Sequence, residues 1–230
     1  TPGTTAGGAV TISEITNGQT VYVRLADGTA ANANVGQHTS LLIKDTTPPT
    51  VEVTITGKTT NSITARVTAS DGQTGMVASP TYTFYVKETS AGDGTYTQVQ
   101  TGTGTTATAT GLKQNTNYTI KVVTKDIGEV EGSGTDTETT GTVESGVVTG
   151  NITWGTVTWS GGKASVTATP KAGYYIQYQV GGTSGTWTPG TTAGGAVTIS
   201  EITNGQTVYV RLADGPGTNA NVGQHTSLLI

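Results

Sequence analysis

Hydrophobic and polar residues alternate with a period of two along much of the chain. In residues 62–69, Ile63, Ala65 and Val67 fall on one face, while threonines and an arginine fall on the other. Residues 207–213 repeat the pattern with valines and a leucine. Period two with one apolar face is typical of a half-buried antiparallel strand. The sequence therefore predicts an all-β protein.

Runs of this kind, separated mostly by glycine-containing turns, predict about seven strands in each of two regions. The first region has strands at 51–56, 62–69, 81–88, 96–101, 106–112, 118–126 and 135–140. The second has strands at 146–155, 156–161, 163–170, 174–180, 196–202, 207–213 and 225–230. No helical pattern interrupts either set, so both regions are predicted to be antiparallel β-sandwiches of about seven strands.

The chain also carries a long internal repeat. Residues 1–28 return as residues 188–215, and residues 32–43 return as residues 219–230. The three positions that differ follow an Asp-Gly turn signal, which predicts a loop tip. The period of 187 residues between Thr1 and Thr188 fits two sandwiches of roughly 90–100 residues each.

Two polar segments divide the chain. Residues 44–50 contain two prolines, and residues 135–146 form a second polar gap. The predicted organisation is a half-unit at 1–43, a complete unit at 44–142 and a second complete unit at 143–230, of the same type as 1–43. A half-unit exposes strand edges and half of a core. We expect the missing half, equivalent to 143–187, to come from another copy, either a covalently preceding repeat or a neighbouring chain.

Residues 111–134 resemble a fibronectin type III module. Leu112 stands six residues before Tyr118, Tyr118 opens an alternating strand, and Thr116 occupies a position where that family usually has threonine. The resemblance implies a tyrosine corner, in which the Tyr118 ring closes the edge of the core and its hydroxyl bonds to backbone upstream. Leu112 and Tyr118 are therefore structural residues.

This resemblance covers about 90 residues and departs from the family at two places. Gln114 stands where a proline is common, and Arg66 stands near the usual position of a core tryptophan. The resemblance implies the fold but gives no information on function.

Residues 143–230 are similar to the immunoglobulin-like repeats of large bacterial surface proteins. Residues 174–190 and 202–215 carry the likeness, with Tyr209 as a structural residue seven positions after Ile202. The resemblance implies an extracellular or bacterial cell-surface location. It implies a structural segment of a tandem-repeat protein (a stalk, spacer or filament subunit, with adhesion as an added role). The alternatives are a carbohydrate-binding or receptor-binding module of a surface protein, a phage fibre or an extracellular enzyme.

Composition excludes several classes of protein. The net charge is −4 and no basic run is present, so no nucleic-acid partner is expected. The chain has no cysteine, which excludes disulfides and thiolate metal sites. No apolar stretch is long enough for membrane insertion. The predicted partners are other copies of the repeat and a surface glycan or protein receptor.

The sequence offers no catalytic constellation. The two histidines, His38 and His225, are one repeat position seen twice, and neither has a second histidine, a cysteine or an adjacent carboxylate beside it. The chain is therefore predicted not to be an enzyme and to need no cofactor.

Acidic residues could gather at one end of the first sandwich. Asp126, Glu129 and Glu131 share a predicted loop, and the loop that holds Asp71 is expected at the same end. Their spacing matches no Ca²⁺-loop template, and Lys125 is adjacent. A solvated loop without metal is the prediction, with these four residues as the candidates for any metal site.

Aromatic residues are the last source of candidate chemistry. Trp154, Trp159 and Trp187 all lie in the second unit and are candidates for stacking on a sugar, although core packing is the expected role of such residues. An intramolecular Lys–Asn isopeptide bond is a further alternative, with Lys87 among the lysines in predicted strands.

Overall fold

The computed structural model describes residues 7–29, 33–146 and 148–230. In these residues the only helical element is one 3-10 turn at Asp93–Thr95, and the regular structure is otherwise antiparallel β-strands. No helix within these ranges is long and apolar enough to cross a membrane. The prediction of tandem antiparallel β-sandwiches is confirmed.

The chain begins with a two-stranded hairpin. Strand β1 (Thr20–Ala26) pairs antiparallel with β2 (Val35–Leu42), and the register aligns Val23 with Thr39. Every residue of β2 is exposed. The hairpin therefore has no core of its own.

The first sandwich follows the linker at 44–49. Its seven strands are β3 (Thr50–Lys58), β4 (Ser62–Ser70), β5 (Tyr82–Glu88), β6 (Thr97–Gly102), β7 (Thr106–Thr110), β8 (Asn117–Lys125) and β9 (Glu131–Thr139). One sheet has the order β3-β4-β7 and the other β6-β5-β8-β9. The alternating residues of β4 and β8 point into one core around Phe84.

The strands place the loops of the first sandwich at two opposite ends. Because Thr50 pairs with Ser70, and Lys125 pairs with Glu131, the segments 44–49, 71–81 and 126–130 lie together. We call this the linker end. The segments 59–61, 111–116 and 140–142 lie at the other end, which we call the junction end because the second sandwich contacts it.

Glycines let the two sheets close along one edge. An added Cβ on Gly134 of β9 would overlap the carbonyl oxygen of Val51 in β3, and one on Gly132 would overlap that of Pro49. At the same edge the Ile55 amide donates to Asp136 Oδ2 at 2.9 Å. The absence of a side chain at Gly132 and Gly134 is therefore what allows this close approach.

The second sandwich contains eight strands. They are β10 (Ile152–Trp154), β11 (Thr158–Ser160), β12 (Lys163–Pro170), β13 (Tyr175–Val180), β14 (Thr188–Pro189), β15 (Val197–Ile202), β16 (Thr207–Ala213) and β17 (Thr226–Leu229). One sheet is built on β12, which pairs with β10, β11 and β15, and the other has the order β14-β13-β16-β17. Their inner faces share one apolar core.

Two predicted strands of this unit are shorter in the structure. The strand expected at 146–155 is only Ile152–Trp154, because residues 148–151 form a turn in which Gly150 has a φ of +88°. The strand expected at 156–161 is only Thr158–Ser160, which a turn through Gly161 and Gly162 ends. The two-residue strand β14 was not predicted.

An ion pair anchors the segment between the sandwiches. Lys171 Nζ donates to Glu144 Oε1 and Oε2 at 2.7 and 2.9 Å. The hydrogen bond from Lys171 lowers the pKa of Glu144 below its ordinary value of 4.5. A carboxyl with a lowered pKa stabilises the fold above its unfolded pKa, and that contribution disappears as the pH falls through the folded pKa.

We therefore expect Lys171→Met to lower the free energy of unfolding at about pH 7 and to have a smaller effect at an acidic pH below the lowered pKa of Glu144, where protonation removes the charge that Lys171 contacts. Urea unfolding at both pH values measures the difference. An effect of equal size at both would mean that Lys171 acts through packing rather than through Glu144.

Candidate functional site

Three carboxylates converge at the linker end of the first sandwich. Asp45 lies on the linker, Asp71 directly follows β4, and Asp126 directly follows β8. One carboxylate oxygen of each lies within 4.8 Å of the others. The strand ladder explains this convergence, because it brings the start of β3 beside the end of β4.

Asp45 is buried and held by hydrogen bonds from three directions. Its own amide donates to Asn17 Oδ1 of the hairpin at 2.8 Å. Its Oδ1 accepts from the Thr47 amide at 2.9 Å, and its Oδ2 accepts from the Thr74 hydroxyl at 2.6 Å. The bond from Thr74, followed by that from Thr47, lowers the pKa of Asp45 below its ordinary value. Asp45 is therefore a carboxylate at neutral pH.

Asp71 organises the loop after β4. Its Oδ2 accepts the backbone amides of Gln73, Thr74 and Gly75 at 3.0, 2.7 and 2.8 Å. This is the local side-chain-to-backbone bonding by which aspartate stabilises turns. The Gly75 carbonyl in turn accepts the Ile127 amide at 3.1 Å, which connects this loop to the loop after β8.

Asp126 is the most buried member of the cluster, with 1% of its surface exposed. Its Oδ1 accepts the Val130 amide at 3.0 Å. Its Oδ2 is the one buried side-chain oxygen or nitrogen in the described part of the chain that has no hydrogen-bond partner. A buried polar oxygen without a partner is energetically unfavourable.

The loop after β8 packs directly on the cluster. A Cβ on Gly128 would lie 2.8 Å from Asp45 Cβ and 3.1 Å from Asp126 Oδ1. Only a residue without a side chain fits this position at the observed separation.

No positive side chain neutralises the cluster within the described ranges. The ion pairs there involve other carboxylates, including the nearby Lys125–Glu129 pair at 3.6 Å. An ionised carboxylate accepts hydrogen bonds and donates none, so a group of carboxylates suits a cation or a hydrogen-bond donor. Within the described residues, no histidine or cysteine belongs to the group.

The cluster contains two of the four predicted metal candidates. Asp71 and Asp126 belong to it, whereas Glu129 and Glu131 are exposed and do not. Sequence reasoning missed Asp45. The available signal was its place on the linker, which must enter the sandwich beside the loop that follows β4.

The predicted structural residues occupy the following positions. Leu112 and Tyr118 are buried in the first core, and the Tyr118 hydroxyl accepts the Lys113 amide at 3.0 Å. Tyr209 is half-buried on the outer face of β16, where its ring lies 5.4 Å from that of His225.

The tryptophans do not provide three free faces for a sugar. Trp187 is only 8% exposed and the Arg211 guanidinium lies 4.1 Å from its ring centre, so little of its ring is open to a sugar in this structure. Trp154 is partly buried against the second core. Trp159 is 52% exposed.

Lys87 Nζ bonds to Ala91 O and Asp93 Oδ1, both at 2.8 Å, so its contacts are those of an ion pair.

Comparison with known proteins finds likenesses among solved structures. No protein-family model and no curated protein sequence matches the chain. Among solved structures, the crystal structure of the chicken CNTN1 FN1–FN3 domains is similar at 11% identity and a TM-score of 0.34, covering 92% of this chain and 77% of that one. The strands and sheets described above, rather than this likeness, define the chain as a pair of antiparallel β-sandwiches preceded by a hairpin.

Proposed function

We propose that this chain is a structural repeat segment, a stalk or spacer, of an extracellular tandem-repeat surface protein. The supporting observation is that one passage of sequence occurs twice, with its apolar face buried in one copy and exposed in the other. A linear array has a use for identical units, because each added unit adds length.

The hairpin reproduces the end of the second sandwich. In β1 and β2 the register aligns Val23 with Thr39, and in β16 and β17 it aligns Val210 with Thr226. The closing bond from the Gly18 amide to the Ile43 carbonyl is 2.8 Å long; its counterpart, from residue 205 to residue 230, is 2.7 Å. The two copies therefore share one local structure.

The surroundings of the two copies differ. Leu25 is 84% exposed, whereas its equivalent Leu212 is 0% exposed. In the second sandwich β16 pairs on its other edge with β13, and in the described residues β1 has no such second neighbour. Exposed apolar side chains beside an unpaired edge favour strand addition. The segment that fits is another copy of 143–187, which includes the equivalent of β13.

A polar junction fixes the second sandwich on the first. Asn221 Nδ2 donates to the carbonyl oxygens of Leu112 and Thr60 at 2.9 and 3.3 Å. The Thr60 hydroxyl donates to Asp214 Oδ2 at 2.8 Å. Loops of the two sandwiches are thereby joined by specific hydrogen bonds.

Gln114 completes this junction. Its amide donates to Asn221 Oδ1 at 3.1 Å, its Nε2 donates to the Val222 carbonyl at 2.8 Å, and its Oε1 accepts the Val143 amide at 2.7 Å. Proline, common at this position in fibronectin type III modules, could make none of these bonds. The departure from the family pattern therefore has a structural reason.

The hairpin carries a second copy of the Asp–Asn pair. Asn34 donates to Asp27 through its amide at 2.8 Å and through its Nδ2 at 2.7 Å. The equivalent bonds between Asn221 and Asp214 are both 2.9 Å long. The hairpin thus presents a preformed copy of the surface that the second sandwich uses on the junction end. A further copy of the first sandwich would fit it.

Extending the chain tests the proposal. A copy of residues 143–187 is placed before Thr1, and a Gly/Ser segment of equal length serves as the control. We expect the amides of Tyr22 and Arg24, which lie on the edge of β1 that faces away from β2, to become protected from hydrogen exchange only in the first chain, because a complete sandwich forms. Amides that exchange equally fast in both chains would reject the proposal. Sedimentation of the unextended chain at increasing concentration shows whether another chain completes the hairpin in trans.

The junction gives a separate prediction. Asn221→Ala removes bonds to the junction end, so we expect about 1–3 kcal/mol less coupling between the sandwiches and a broader range of inter-sandwich angles. Unfolding by urea and small-angle X-ray scattering measure these effects. Asn34→Ala is the matched control, since it breaks the same local pair without that interface. If Asn221→Ala gives the same scattering as Asn34→Ala, the junction does not fix the angle.

A further inference from the structure

We propose that the linker end of the first sandwich binds Ca²⁺ through Asp45, Asp71 and Asp126. The ion would attach the linker from the hairpin to the two loops of the sandwich. The proposal stands independently of the proposed array function, because it rests on this cluster alone.

The first argument is the buried oxygen of Asp126. Oδ2 has no hydrogen-bond partner although the residue is 1% exposed, and the carboxylate belongs to a group whose oxygens lie within 4.8 Å of one another. Charges this close repel one another strongly away from water. A divalent cation bound by the group would remove the repulsion and would give the buried Asp126 carboxylate a further partner.

The second argument is the geometry of the ligand atoms. Two oxygens bound to one Ca²⁺ at about 2.4 Å can be at most about 4.8 Å apart, and the three carboxylates meet this limit in every pair. Backbone amides orient each of them, through Thr47 for Asp45, three amides for Asp71 and Val130 for Asp126. Such outer bonds hold carboxylates in position for a metal.

The third argument concerns which cation fits. All three ligands are hard carboxylate oxygens, which select Ca²⁺, Mg²⁺ or Mn²⁺ over softer metals. Mg²⁺ is generally held by one or two carboxylates and keeps its waters, whereas Ca²⁺ accepts more protein oxygens in a flexible geometry. Three carboxylates from three separate segments favour Ca²⁺.

The position of Asp45 gives the ion a consequence. Asp45 also connects the linker to the hairpin, because its backbone amide donates to Asn17 Oδ1. Ca²⁺ would therefore restrict the angle between the hairpin and the first sandwich.

Thermal unfolding of the chelator-treated full chain tests the site, with Ca²⁺ alone as the added probe. We expect saturating Ca²⁺, at about 100 Kd, to raise the Tm of the first sandwich by about 10 °C. Mg²⁺ and NaCl at matched ionic strength should raise it much less. No shift with Ca²⁺, or an equal shift with Mg²⁺ or NaCl, overturns the assignment.

Asp126→Asn separates metal binding from structure. Asparagine keeps an oxygen for the Val130 amide but removes the charge, so without Ca²⁺ its Tm should equal or exceed that of wild type. With Ca²⁺ the order should reverse, because the variant binds at least about tenfold more weakly by calorimetry. Glu131→Gln, which removes an exposed charge nearby, should retain the full Ca²⁺ shift. Should Asp126→Asn fail to fold, Asp71→Asn at the half-buried position takes its place. A full Ca²⁺ shift in either aspartate variant rejects the site.

Discussion

Leu212→Ala is expected to lower the free energy of unfolding of the second sandwich by about 2–5 kcal/mol, while Leu25→Ala changes stability by less than about 0.5 kcal/mol. Leu212 is fully buried and faces Ile176 across the ladder between β16 and β13. Leu25 occupies the equivalent position in β1 and is largely exposed. Urea unfolding of the two single variants and the wild type provides the comparison.

The pair forms its own control, because the two leucines have the same neighbours in sequence. Intrinsic strand propensity and effects on the unfolded chain should be nearly equal at the two sites. The difference between the variants therefore measures packing alone. A large loss of stability in Leu25→Ala would show that the hairpin already packs against another surface.

The same comparison becomes more informative in the chain extended by a second copy of 143–187. If that segment completes the hairpin, Leu25 acquires the surroundings of Leu212, and Leu25→Ala should then be destabilising by a similar amount. If Leu25 is exposed in the unextended chain and buried in the extended chain, the added segment is the partner of β1.

The fold was largely predictable because period two is a local property. In the first sandwich every strand lies where the alternation placed it, although several ends differ by one to four residues. Whether the hairpin residues are buried or exposed was not predictable from their alternating pattern. The same residues are buried in β16 and exposed in β1, so the sequence of a strand does not determine what covers it.

The candidate site was only partly predictable for a related reason. Asp71 and Asp126 follow strands whose ends must meet, so loop topology alone places them together. Asp45 lies in a proline-containing linker without periodicity, so its place on the linker was its one sequence signal, and the register between Thr50 and Ser70 fixes its position. Glu129 was a reasonable candidate, but it is exposed and pairs with Lys125.

Glycine positions in strands show another limit of pattern reasoning. From sequence alone, a glycine inside a strand is expected to weaken that strand. Gly134, however, lies where β9 meets β3, and an added Cβ would overlap the backbone oxygen of Val51. Backbone cannot rotate away as a side chain can. The strand pair must separate to admit even a methyl group, which would also stretch the bond from the Ile55 amide to Asp136.

Gly134→Ala is therefore expected to destabilise the first sandwich by about 1–3 kcal/mol or more. Gly57→Ala in β3 is the matched control, because its Cβ would meet only Thr64 at 4.0 Å and alanine should be neutral or slightly stabilising there. Thermal and urea unfolding measure both variants, and hydrogen exchange of the Ile55 amide reports on the edge itself. Gly134→Ala could instead prove as stable as Gly57→Ala, with the Ile55 amide still protected from hydrogen exchange. In that case β3 and β9 can accommodate a methyl group that the observed separation excludes. The close contact between β3 and β9 would then not be what closes this sandwich.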